Sequence, residues 1–304
     1  MCTRVMDKPW TMSVRMALST AMATFVAVTA SPGYVVVGEA QGQDQAQTYQ
    51  APRLPGTERP DLSGIWQAFV TANWDLEPHG ADAGPFPRLL GVWGAQPPGE
   101  GVVVGNEIPY LPEALARRDE NRRTRLTVDT NNVNTVGDPE AKCYMPGVPR
   151  ATYMPFPFQI IQSTEKIVIA YQFSSANRTI PLTRPTEAPV DSWMGWSNGH
   201  WDGDTLVVDV SGFHDLSWFD RAGNYHSEAL RVVERYTPVS PYHLIYEATI
   251  EDPNVFSRPW TIRLPLYRRI EANARLLEFK CVDLAEEYVY GSLVETSNSQ
   301  GGGR

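Results

Sequence analysis

Apolar and polar positions alternate in short runs from about residue 158 onward, and turn residues separate the runs. A period of two is the mark of half-buried strands. Residues 159–161 and 166–173 flank Ser163-Thr164-Glu165, and 178–182 form a further short run. Residues 196–201 and 205–210 flank Asp202-Gly203-Asp204, an Asp-Gly hairpin signal. Residues 228–236, 243–251, 260–268 and 276–282 follow, rich in Val, Ile, Leu, Tyr or Thr and broken by Pro, Gly or Asn. Consecutive strands with short connections predict an all-β, antiparallel meander. Closure into a barrel is the simplest way for such a sheet to remove its edges.

The pattern is different upstream. Residues 68–109 are rich in Gly and Pro without a sustained period, which predicts long N-terminal loops. Residues 111–125 predict one short helix, with Pro112 near its start and Ala, Leu, Arg and Glu in its middle. Residues 127–157 are irregular again. The expected organisation is a single β domain over 61–284, divided into a loop-rich insert, 61–157, and a meander, 158–284. A flexible linker, 41–60, precedes it and a disordered tail, 285–304, follows.

The first 40 residues read as a signal peptide. Arg15 precedes a small-residue apolar run, 16–30, too short and too rich in Ala and Thr for a membrane span. Met12 is a candidate start, and cleavage after Ala30 or Ala40 fits. A periplasmic or secreted protein with no stable membrane span after cleavage is expected. Two cysteines then remain, Cys143 and Cys281. In an oxidising compartment an even pair suggests a disulfide.

Over 304 residues the net charge is −9 and the pI about 5.1. An acidic surface without a basic stripe argues against nucleic acid as a partner. No His-Glu-x-x-His, Gly-x-Ser-x-Gly or Gly-x-x-x-x-Gly-Lys sequence occurs, so zinc-peptidase, α/β-hydrolase and P-loop chemistry lack their motifs. No metal and no cofactor are expected.

Asp61-Leu62-Ser63-Gly64-Ile65-Trp66 resembles the Gly-x-Trp opening of lipocalin-like (calycin) barrels. That resemblance implies a closed barrel with Trp66 sealing one end. The stretch from Trp193 to Trp260 is similar to a broad group of uncharacterised exported bacterial proteins. Its likeness rests on residues 199–209, on His226-Ser227-Glu228-Ala229-Leu230, on Glu234-Arg235, and on Asp252-Pro253 with Pro259-Trp260.

Strand parity supplies candidate chemistry, because alternate side chains share a face. His226, Glu228, Leu230, Val232, Glu234 and Tyr236 would lie together, with the bulkier set turned inward. His226, Glu228 and Glu234 are then candidate acid/base residues of the isomerase, lyase or hydratase type, acting on a partly apolar small-molecule ligand. Two other readings stay open: a structural ion pair between Glu234 and an arginine such as Arg263, or an outward-facing strand. Trp196, Trp201, Trp218, Tyr236 and Arg263 are candidate ligand-binding residues. The alternative function is a non-catalytic module that binds polysaccharide or a partner protein through exposed aromatics.

Overall fold

The computed structural model describes residues 49–83, 95–125, 138, 140 and 144–279, all within the compact unit Gln47–Arg304. The expected signal segment, Cys143, Cys281 and the tail 285–304 lie outside the described residues.

The barrel strands are β1 (Gly64–Ala68), β4 (Phe158–Gln162), β5 (Lys166–Tyr171), β6 (Asn177–Pro181), β7 (Trp196–Asp202), β8 (Thr205–Ser211), β9 (Arg231–Ser240), β10 (His243–Glu251) and β11 (Trp260–Arg268). A separate small pair joins β2 (Asp82–Ala83) to β3 (Ala95–Gln96), and the helices are α1 (Pro112–Thr124) and α2 (Arg150–Tyr153). Gly203, with φ +56°, supplies the left-handed conformation of the β7–β8 hairpin turn.

The nine strands run in the order β6-β5-β4-β1-β11-β10-β9-β8-β7. Followed round from β1, that order is the expected antiparallel meander, and the first and last strands pair. Trp66 stands opposite Arg268, and Ala68 opposite Leu266. The result is a nearly closed, barrel-like sheet.

Strand direction sets β6–β7 apart from the other junctions. An odd number of strands cannot alternate direction all the way round a ring. With every ladder antiparallel, β6 and β7 must run the same way, and segment 182–195 leads back to start β7 at the end where β6 began. No ladder joins β6 to β7 among the described residues. They meet through side chains instead. A Cβ on Gly199 would stand 2.6 Å from Ile180 Cγ2 and 2.9 Å from Leu182 Cδ2, so β6 packs against bare β7 backbone.

Alternation places the core. Val232, Glu234 and Tyr236 of β9, Leu244, Tyr246 and Ile250 of β10, and Ile262, Leu264 and Leu266 of β11 are buried. Each fully buried aliphatic side chain contributes about 1.5–3 kcal/mol. The same alternation turns Arg263 outward, where its Nε lies 3.2 Å from Glu247 and its side chain is 58% exposed. Arg263 is therefore not the interior partner of Glu234.

The described parts of 69–157 (residues 69–83, 95–125, 138, 140 and 144–157), with 212–230 and 252–259, gather beyond the end of β1 and bond to one another. Arg221 N donates to Asn73 O at 3.0 Å, and Leu111 N to Val255 O at 2.9 Å. They form a cap over that end of the barrel. The strand expected over 228–236 starts later, at Arg231, because Ser227 is drawn into a turn by Asp252. The run 276–282 carries no strand in its described part, 276–279. There Leu277 N donates to Gln172 Oε1, and Phe279 packs on Phe156 and Phe173. No helix among the described residues is long and apolar enough to cross a membrane.

Candidate functional site

The barrel interior holds a charge pair. Arg178, on β6, and Glu234, on β9, are both buried, with Nη2 2.9 Å from Oε1 and Nη1 2.6 Å from Oε2. The second contact is a close ionic one rather than an aligned hydrogen bond, and Arg178 Nε has no hydrogen-bond partner among the described residues. Tyr236 and Tyr246 donate their hydroxyls to Glu234 Oε1 at 2.9 and 2.8 Å. Burial, and then the charge of Glu234, push both phenols well above their usual range, so they remain donors. Arg178 Nη1 also donates to Ser197 Oγ on β7 at 3.3 Å. Burial alone would lower the guanidinium's pKa, but Glu234 raises it well above the ordinary value.

Strand parity finds the inward position of Glu234, and the arginine partner proves to be Arg178. Its alternation with the apolar Ile180 and Leu182 was the available signal. The chemistry this centre offers is limited: the carboxylate is occupied by a fixed cation and two neutral donors. Breaking such a pair costs about 3–5 kcal/mol, although the intact pair adds little net stability.

The structure does not bring His226, Glu228 and Glu234 together. His226 and Glu228 precede the strand, so parity does not reach them. Glu228 is exposed. His226 is buried in the cap between Phe213 and Phe219. Its Nδ1 faces Ser227 O at 2.9 Å and its Nε2 faces Ser217 Oγ at 2.7 Å. The carbonyl can only accept, so Nδ1 carries the proton and Ser217 donates to Nε2. Burial lowers the His226 pKa, which favours this neutral form.

Asp220, which sequence reasoning passed over, is the hub of the cap. Its Oδ2 accepts from Leu76 N and Asn224 Nδ2 at 2.9 and 2.6 Å, and its Oδ1 from Ala222 N and Asn224 N. Burial and then Asp75 push it up to about 7, against the pull of those donors. Nearby, Arg150 is buried and forks onto Asp138 at 2.6 and 2.9 Å. It also bonds Glu140 at 2.8 Å. Against the upward push of burial, Arg221 and Arg150 hold Glu140 down at about 2. These polar groups are satisfied within the fold, and they stitch the cap together.

Among the described residues the tryptophans do not form an exposed row. Trp218 is buried under the cap, and Trp201 packs on the core. Trp196 is 37% exposed, with Nε1 donating to Thr186 Oγ1 at 2.9 Å. Tyr236 is fully occupied by the interior pair.

Open space lies elsewhere. A cleft of about 370 Å³ opens at the rim of the cap, between the start of β9, the end of β10 and the 252–259 loop. Phe256, Pro253 and Pro259 give it an apolar, rigid lining, and Arg231, Glu251 and Arg258 supply charge. A smaller cleft, about 220 Å³, lies at the other end beside Leu62 and Arg268. Among the described residues no group of three or more His, Cys, Asp or Glu side chains could hold a metal ion. Comparison with protein-family models gives no match, and comparison with curated proteins gives none either.

Proposed function

We propose that this chain is an exported binding protein: a lipocalin-like barrel that takes a small, partly apolar molecule, not inside the barrel but in the cleft at the cap rim. One observation carries the reading. The barrel centre is filled by its own Arg178–Glu234–tyrosine cluster, while the rim cleft combines open volume, an apolar lining and charged groups at its mouth. Small-molecule sites are concave, mainly apolar, and equipped with a few polar groups that fix orientation. The buried Trp66, opposite the last strand, supports the lipocalin-like resemblance, and the apolar segment 16–30 supports export. Acid/base work shared by His226, Glu228 and Glu234 does not belong to this reading, because the three side chains face different surroundings.

Filling the cleft tests the reading. Ala229 is exposed and lines it, so Ala229→Trp occupies the space without entering the core. A ligand at about 100 times its Kd stabilises a fold by ~2.7 kcal/mol. Compounds that raise the melting temperature of the wild type in a metabolite screen should lose that effect on Ala229→Trp. Hits that stabilise both proteins equally would place the site somewhere else.

A further inference from the structure

The rim cleft also indicates what kind of molecule it takes, an inference that rests on the function proposed above. Its charged groups are not equally committed. Asp252, in the wall of the cleft, is used up: Oδ2 accepts from Ser227 N at 2.6 Å, and Oδ1 accepts from Ser227 Oγ at 2.9 Å and Asn254 N at 3.1 Å. Arg231 is held by Asp209 at 2.5 Å and more loosely by Glu251, at 3.7 Å. Glu251 thus has a cation beside it. Arg258 differs. It is exposed, no carboxylate lies within 4.0 Å of it among the described residues, and its one hydrogen bond is a long one, 3.5 Å, to the carbonyl of Pro259.

We propose that Arg258 is the anion-recognising group of this cleft, and that the ligand is a small organic carboxylate whose apolar body lies against Phe256 and the prolines. A guanidinium offers parallel N–H donors that match a carboxylate's two oxygens, and such charge-assisted forks are stronger and more directional than neutral hydrogen bonds. The protein's overall charge of −9 repels anions at long range. Recognition must therefore come from contact, which salt screens less than it screens that repulsion. The apolar lining adds what a bare inorganic anion could not use.

Three nearly isosteric probes decide the matter: benzoate, benzamide and benzamidine, titrated into the full chain while backbone amide shifts are followed by NMR. Benzoate should move the amides of Phe256, Ser257 and Arg258, and should bind roughly tenfold tighter than benzamide, the difference a charged hydrogen bond is worth. Arg258→Ala should abolish that preference and leave the melting temperature unchanged, since the side chain is exposed. If benzamide or benzamidine binds in the cleft as well as benzoate does, the carboxylate assignment is wrong and the cleft survives as a binding site. If none of the three moves these amides, both the assignment and the cleft reading fall.

Discussion

Two junctions of the nearly closed barrel are held in different ways. Where β1 meets β11 the backbone holds the strands together, with an antiparallel ladder from Trp66–Arg268 to Ala68–Leu266. Trp66 is buried behind this seam. Its Nε1 donates to Leu62 O at 3.0 Å, and the Arg268 guanidinium sits 4.3 Å above its ring. Where β6 meets β7, side chains do so. Arg178 reaches past the seam to Ser197 and Glu234, and Ile180 rests against Gly199. The two junctions also differ in direction: an odd number of alternating strands leaves one parallel junction, and it is the one without a ladder among the described residues. The hydrogen bonds of a backbone ladder do not depend on side-chain charge. A side-chain seam depends on a few residues, so substitutions should separate the two.

The largest effects are expected at one buried residue beside each seam. Arg178→Met leaves the Glu234 carboxyl buried without its cation, and should cost about 3–5 kcal/mol in urea unfolding. The double variant Arg178→Met/Glu234→Met should recover much of that loss, because an apolar pair carries no desolvation penalty. A single variant that loses less than about 1 kcal/mol would show that the charge pair does not hold the β6–β7 seam. Trp66→Ala should also cost about 3–5 kcal/mol, by opening a cavity. Here no second substitution at Arg268 should restore stability, since the loss is one of volume rather than of charge.

A smaller effect is expected at Gly199. Gly199→Val places methyl groups where Ile180 and Leu182 already stand, and overpacking of this kind costs about 1–3 kcal/mol. Ile180→Ala in the same chain should relieve part of it, and the coupling can be read from a double-mutant cycle. Additive losses would mean that β6 and β7 are not in contact at this point.

Much of the barrel was legible in the sequence, and its limits have physical causes. The strands around His243–Glu251 and Trp260–Arg268 could be bounded to the residue because each is a clean apolar/polar alternation between turn residues. The inward position of Glu234 followed from Val232 and Tyr236 beside it. The same rule, carried back to Glu228 and His226, failed. Parity holds only while the backbone stays extended, and Asp252 bends it at Ser227 through a contact 25 residues distant. The partner of Glu234 was hidden for a related reason. Arg178 is brought to it across a seam that has no ladder, and local pattern encodes no register there. Arg263 could have been set aside from sequence alone, since Trp260, Ile262, Leu264 and Leu266 claim the inner face of its strand. The rim cleft was not legible, because its walls come from two chain segments, 229–231 and 251–259, whose approach only the fold determines.

The finest test of the comparison needs no substitution. Half of the amides in β6 and β7 point away from β5 and β8, toward a seam that no ladder bridges among the described residues, whereas the amides of β11 opposite β1 lie in a ladder. Amide exchange in the native state proceeds by local openings whose free energies range from near zero up to that of global unfolding. Seam-facing amides of β6 and β7 should exchange through shallow openings, and those between β1 and β11 only near the global limit. The side-chain latch adds a second expectation. Weakening it with Arg178→Met should speed exchange at β6 and β7 by more than the loss of global stability accounts for, while the β1–β11 amides follow global stability alone. Equal protection at both seams would mean that packing of Ile180 on Gly199 shields the amides as well as a ladder does, and that the missing ladder leaves no mark on how the barrel opens.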